Sequence, residues 1–414
     1  MRLLDIEEAM ARGDQGAPRQ WAMEHMLQVG RAFDAADLVE VHQAHIMADT
    51  ESLGEAGVAF LEGLAAAPTA ERRVRVPTIT DPRGIDFAHY RKLGQTDAMA
   101  ALERRAIDAF EALGILMTDT CINYQTIMPP VAGEHQAYGD TGVVIYSNSV
   151  LGARSNFEGG PSALAAALTG RTPRYGLHLD ENRRGTHRFV VRTPPEDLAE
   201  WGALGALIGR SAGSYWAVPV IEGIDAPPGS DALKHMGAAM ASYGSIPLFH
   251  IVGITPEAPT LDTICEPGSL PAREIGTDDM RGFFGEYGAS GEKVDVVVFA
   301  APQLSLIEMQ QVADLLDGRR IHERTALLVA TSPGVAADAD RMRLTERIEA
   351  AGALVLRGMC FYQSYAREMA EANGWHRLLT NSAKLANILG GYGYAPSLMT
   401  MEACIDAAVT GRTP

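Results

Sequence analysis

Apolar residues recur at helical spacing across the first stretch of the chain: Leu3, Leu4, Ile6, Ala9 and Met10, then Trp21, Met23, Met26, Leu27 and Val29. Helices are therefore predicted over much of 2–67, with Leu38-Val39-Glu40-Val41 as a short strand ending at His42-Gln43-Ala44-His45. Val74–Thr80 predicts a second strand, stopped by Asp81-Pro82-Arg83-Gly84. A long helix from about Thr96 to Leu113 and a strand at Ile115–Met117 come next. The run Val143-Val144-Ile145-Tyr146 reads as a further strand, and Gly159-Gly160-Pro161 opens an Ala/Leu helix from Ser162 to about Thr169. Arg188–Arg192 closes this part as a strand.

Thr193-Pro194-Pro195 marks a linker. Beyond it, helices near Leu198–Gly209 and Asp231–Ser242 alternate with strands Trp216–Ile221 and Pro247–Val252. The last part alternates strands Val294–Phe299, Thr325–Ala330 and Ala353–Leu356 with helices near Leu306–Leu316, Ala337–Ala350 and Gln363–Glu371. That order is βαβ and implies an α/β fold with parallel sheets and right-handed crossovers. Three α/β subdomains are expected, over residues 1–195, 196–290 and 291–414.

A length of 414 residues exceeds one ordinary core, which agrees with several subdomains. The net charge of -17 argues against nucleic acid and against an anionic membrane surface as partners. No run approaches the roughly 18 apolar residues of a membrane span, and the N-terminus has no signal-peptide pattern. Four widely spaced cysteines, with no CxxC pair, do not resemble a secreted disulfide framework. A cytoplasmic location with reduced thiols is expected.

Candidate chemistry concentrates between Gly133 and His178. Ser147, Asn148, Ser149, Arg154, Ser155, Asn156 and Glu158 crowd the segment between the apolar run and the helix at Gly159. A helix N-terminus beside an arginine suits a small carboxylate. Elsewhere, Cys121 follows the strand Ile115–Met117, with Asn123 just beyond it, and Cys360 follows Ala353–Leu356. Thiols at strand ends suit iron, although free cysteines are more often small core hydrophobes. Leu379–Lys384 is a polar turn entering a helix. His42 and His45 read as a polar turn, and no GxGxxG or P-loop is present, so no nucleotide cofactor is expected.

These residues resemble a known family. Gly133–Gly139 (GEHQAYG), Tyr146–Asn156, Glu158-Gly159-Gly160-Pro161, Thr169–His178, Pro77–Pro82, Asp119-Thr120-Cys121 and Thr380–Lys384 are similar to the large catalytic part of aconitase X, over essentially the whole chain. The resemblance implies an aconitase-like α/β fold, three subdomains around a central cleft. The swivelling fourth domain has no counterpart segment here, so a separate small subunit is expected to carry it. It also implies a hydro-lyase. The first reading is dehydration of cis-3-hydroxy-L-proline to pyrroline-2-carboxylate; the second is the large subunit of mevalonate 5-phosphate dehydratase. For a phosphate, Arg171, Arg174, Arg183 and Arg184 form the available basic cluster.

Family members hold iron through three cysteines, and Cys121 and Cys360 match the outer two. The middle position, after strand Val294–Phe299, is Ala301, with Gln303 where a histidine is usual. An iron or iron–sulfur centre with a substitute ligand, a mononuclear metal and no metal all remain open. Lys384, His135 and His178 are candidate proton donors, and Glu134 and Glu158 candidate bases or orienting groups. Asn123, Tyr146, Asn148, Ser149, Arg154, Asn156, Asn381 and Ser382 are the candidate substrate contacts. A non-catalytic ligand-binding or regulatory paralogue that has lost the iron site is the alternative of a different class.

Overall fold

The structure is a computed structural model that describes residues 1–266, 268 and 270–414. Three parallel sheets organise it. The first orders Thr78–Thr80, Ala44–Ile46 and Ala137–Tyr138, extended by single bridges from Ile79 to Leu116 and from Tyr138 to Phe157. The second orders His250–Ile251, Pro219–Glu222, His187–Val191 and Ala272–Ile275. The third orders Leu354–Arg357, Ala326–Thr331, Val296–Leu304, Arg377–Thr380 and Ala395–Leu398. A small antiparallel pair, Leu38–Glu40 with Arg171–Pro173, stands apart from them.

In the third sheet the chain runs outward from Val296–Leu304 in one direction, then returns to add Arg377–Thr380 on the other side. Such a reversal opens a crevice at the carboxyl ends of the two central strands, where α/β sheets place ligands. Those ends carry Ala301–Ser305 on one strand and Asn381–Lys384 on the other. The carboxyl ends in the first sheet lead into Asp49, Asp81 and Asp140.

Local sequence explains most elements. Asp197 caps the helix Leu198–Ala212 by accepting from Glu200 N at 2.9 Å, and Gly213, at φ 55°, ends it in the left-handed region. This helix packs on Ser230–Gly244 with almost no side chain between them, because Gly205, Gly209 and Gly244 lie at the contact.

Several predicted elements change. Val143–Tyr146 is not a strand but the middle of the helix Thr141–Ser149, capped by Asp140. Every side chain from Val143 to Ser149 is buried, so the helix shows no polar face and its apolar run mimics a strand. The residues 42–45 are not a plain turn, since Ala44–Ile46 pairs as the central strand of its sheet. Val74–Thr80 contracts to Thr78–Thr80 and Ile115–Met117 to a single bridge. The helix expected at 337–350 is two, Pro333–Arg341 and Leu344–Ala350, divided by Arg343 at φ 60°.

Candidate active site

Polar side chains from the carboxyl ends of the first and third sheets meet in one buried cluster. Lys384, in the first turn of helix Ala383–Leu389, reaches Asp140 Oδ2 at 3.4 Å and Thr141 Oγ1 at 3.3 Å. Its ammonium lies 5.4 Å from the centre of the Tyr362 ring. Asp140 also caps its own helix, Oδ1 accepting from Val143 N at 2.9 Å. Asp81 accepts from Gln363 Nε2 at 3.2 Å through Oδ2, while Oδ1 has no hydrogen-bond partner. His45 Nε2 sits 3.6 Å from that oxygen but donates to the Thr120 carbonyl at 2.9 Å. Burial holds the His45 pKa below its ordinary value, so the ring is neutral.

The two aspartates diverge in charge. Burial and the neighbouring Asp140 push Asp81 well above the usual carboxylate range. Burial acts on Asp140 as well, but the Lys384 ammonium and the Val143 amide outweigh it and hold that carboxyl low. Burial disfavours the Lys384 ammonium, yet Asp140 and nearby acidic groups keep its pKa above the ordinary value. The cluster is thus a neutral carboxyl beside an ion pair, an environment that separates proton donor from proton acceptor.

A cleft of about 370 Å³ opens onto this pair, lined by Glu51, Ser52, Asp140, Thr141, Tyr362 and Gln363 among others. Burial also raises the Glu51 carboxyl, against the pull of the Tyr365 amide that it accepts at 2.5 Å. A larger opening of about 580 Å³ lies between Thr118–Ile127 and the start of the helices Leu306–Leu315 and Pro333–Arg341. Its described lining is hydroxyl, amide and apolar, with Asp338 as the one charged side chain. It lacks an acid–base pair, so the smaller cleft is the candidate active site.

Cys121 and Cys360 are both buried beside this cluster, close enough for charge on one to act on the other. The charge of Lys384 acts on both of the cysteines expected at the site. Their surroundings do not fit a three-thiolate iron centre. Ala301 offers a methyl, Cys121 Sγ accepts from Gln303 N at 3.4 Å, and the Gln303 amide fills the space between the loops. Among the described residues no group of three or more His, Cys, Asp or Glu is placed to hold a metal.

Within the 133–178 motif, Gly139, Asp140 and Thr141 line the cleft, and the candidate residues named from it do not. His135 precedes the strand Ala137–Tyr138 and Asp140 follows it, so they lie at opposite ends of that strand. His135 Nδ1 and His178 Nδ1 are 2.9 Å apart, and His178 Nε2 lies 3.7 Å from Glu158 Oε1. Burial, then His178, lowers the His135 pKa to about 4. Thr172 donates to Glu158 at 3.0 Å, and Arg154 pairs with Asp180 at 2.5 Å. Glu134 accepts from Val131 N within a turn.

The expected substrate contacts are largely committed to the protein's own backbone. Asn148 accepts from Ser155 N and donates to the Ser155 and Pro247 carbonyls. Ser149 accepts from Phe249 N, and Asn156 binds Leu177 N, the Tyr175 carbonyl and the Tyr215 hydroxyl. Ser382 caps its helix and donates to the Ala301 carbonyl at 2.6 Å. Tyr146 stacks on Tyr124 and hydrogen-bonds Ser230, while Asn123 and Asn381 are buried, with Asn123 Oδ1 unpartnered. Of the groups that form the cleft and its buried floor, Asp140, Glu51, Tyr362 and Gln363 were not among the candidate site residues, while Asp81 and His45 entered the sequence reading only as a strand stop and a polar turn. The one signal for the acids is an aspartate within three residues of the end of each strand of the first sheet.

Parallel α/β sheets that close on an acid–base cluster at their carboxyl ends define an enzyme built for a small molecule. Residues 1–181, 185–285 and 294–410 match, in order, the first, second and third domains of aconitase X. The chain belongs to the aconitase X family. It is 34% identical, over 97% of its length and 95% of the relative's, to a phosphomevalonate dehydratase large subunit of Methanothermobacter thermautotrophicus. It is 33% identical to a cis-3-hydroxy-L-proline dehydratase of Pseudomonas aeruginosa, matching over all of this chain and 71% of that protein. The crystal structure of Thermococcus kodakaraensis aconitase X in its holo-form superposes with a TM-score of 0.88 at 30% identity, covering 99% of this chain and 100% of that one. The aconitase-like α/β fold expected from the motifs is the fold found. Among the described residues no helix is long and apolar enough to cross a membrane.

Proposed function

We propose that this chain is the catalytic subunit of a dehydratase that removes water from a small hydroxylated amino acid, cis-3-hydroxy-L-proline being the first candidate. The observation that carries the reading is the buried Lys384–Asp140 pair at the cleft, with the neutral Asp81 behind it. In this reading Lys384 receives the substrate carboxylate and stabilises negative charge that develops on it when the adjacent carbon loses a proton. Asp140 is the base that takes that proton. Glu51, a raised carboxyl on the cleft wall, protonates the departing hydroxyl so that it leaves as water. Asp81 stays neutral and keeps Asp140 the one anion beside Lys384.

The acidic wall supports a substrate that carries an ammonium. Phosphomevalonate is the second candidate, but three of the four arginines considered for its phosphate are engaged elsewhere. Arg171 pairs with Glu7 and Glu40, Arg174 with Asp37 and Arg183 with Glu257. The large-subunit names of several relatives support a small partner subunit that covers the cleft. Four unpaired, buried cysteines support a reducing, cytoplasmic setting. The test is co-purification with a small subunit, followed by assay of both substrates. Turnover of cis-3-hydroxy-L-proline supports the reading. Binding of it without turnover supports instead a ligand-binding paralogue.

A further inference from the structure

We infer that Gln303 ties together the loops that a metal centre would otherwise join, so that this pocket is built to work without iron. The inference relies on the dehydratase reading only for the identity of the pocket. Gln303 lies at the carboxyl end of the central strand Val296–Leu304, wholly buried. Its Oε1 accepts from Cys121 N at 3.3 Å, and its Nε2 donates to the carbonyls of Asp119 at 3.1 Å and Met359 at 3.4 Å. One side chain thereby binds the loop that precedes Cys121 and the loop that precedes Cys360. Its backbone is engaged as well: N donates to Cys121 Sγ, and O accepts from Lys234 Nζ at 3.2 Å. Lys234 is in turn held by Glu308 and Asp231.

The third ligand position cannot contribute a donor atom. Ala301 presents a methyl, and its carbonyl is taken by Ser382 Oγ at 2.6 Å. Two thiols leave each iron of a cluster short of strong donors, and one of the two already accepts a hydrogen bond from Gln303. A side-chain amide that satisfies three buried backbone groups supplies the cross-link without metal.

The test uses the full chain purified anaerobically from cells supplied with iron and sulfide. Iron and acid-labile sulfide are measured per chain, and hydrogen exchange is followed at the Cys121 amide. The expected result is a colourless protein with iron far below one atom per chain. Gln303→Leu should speed exchange at the Cys121 amide by about tenfold, the equivalent of one lost hydrogen bond. If Q303L does not fold, Gln303→Met keeps the chain length and gives the same readout. Stoichiometric iron that is lost in Cys121→Ser overturns the inference, as does unchanged exchange at Cys121 in the Gln303 variants. These readouts are independent of turnover, so a failure to dehydrate either substrate counts against the dehydratase reading alone.

Discussion

Lys384 Nζ stands 3.4 Å from Asp140 Oδ2 across 244 positions of sequence, and both side chains are nearly closed to water. A lone ammonium in that position would shed its proton, and a lone carboxylate would take one up. Each keeps its charge because the other is present. The pair is therefore a fixed dipole at the cleft, Asp140 on its wall and Lys384 directly behind it.

Removing either end should disable the chemistry without removing the cleft. Lys384→Met leaves Asp140 without its cation, so its pKa rises and its power as a base at neutral pH falls. We expect kcat/KM for the dehydration to drop by about 100-fold or more in K384M and in Asp140→Asn, the range for loss of a positioned acid or base. Steady-state kinetics on protein with a native circular dichroism spectrum is the check. Wild-type kcat/KM in K384M would exclude the pair from catalysis.

The helix Asp97–Ala112 and the strand His187–Val191 were readable because each has an exposed side and a buried one. The helix Thr141–Ser149 was not, since full burial erases the period by which a helix is recognised. Cys121, Cys360 and Lys384 were legible as chemistry at strand ends. Asp81 and Asp140 were not, because one acid after a strand is also what an ordinary turn contains. They become a site only when sheet order sets the first sheet against the third, and that order is a long-range property. Asn148 and Asn156 pose the opposite difficulty. A side chain that satisfies buried carbonyls and one that faces a ligand have the same local sequence.

That distinction can be measured at Asn148. Its amide satisfies the Ser155 amide and the Ser155 and Pro247 carbonyls, all in the interior. Asn148→Ala orphans these groups, at about 1–3 kcal/mol for each unsatisfied polar group that water cannot reach. A lower thermal midpoint with an unchanged KM is expected. A raised KM at wild-type stability would instead make Asn148 a substrate contact.

The contact between helices Leu198–Ala212 and Ser230–Gly244 makes a sharper structural demand. A Cβ at Gly205 would overlap the backbone carbonyl of Met236, which a rotamer change cannot relieve. Gly205→Ala must push the helices apart, and overpacking of this kind costs about 1–3 kcal/mol. In contrast, Gly334→Ala meets nothing within 4 Å and should be nearly neutral. Urea titration of the two variants tests the contrast, and equal midpoints would refute it.

Glu308 gives the protein a defined weakness toward acid. It is buried and bonded to His235 Nε2 at 2.8 Å, to Lys234 and to Ser305 N at 2.9 Å. Burial alone would raise its pKa, but Lys234 and His235 prevail and hold it at about 2, against an ordinary 4.5. As pH falls, the unfolded chain takes up this proton near 4.5 while the folded one resists until about 2. The stabilisation, about 3 kcal/mol at 1.4 kcal/mol per tenfold, is therefore complete above 4.5 and is lost as pH falls through the folded value. Glu308→Gln removes this dependence and leaves Lys234 buried with a weaker partner, a loss of about 3–5 kcal/mol at neutral pH. Urea unfolding of wild type and E308Q across this range should show the gap widest near neutrality and narrowing toward acid. A gap that stays constant with pH would mean that Lys234 and His235 do not hold Glu308 in its charged form.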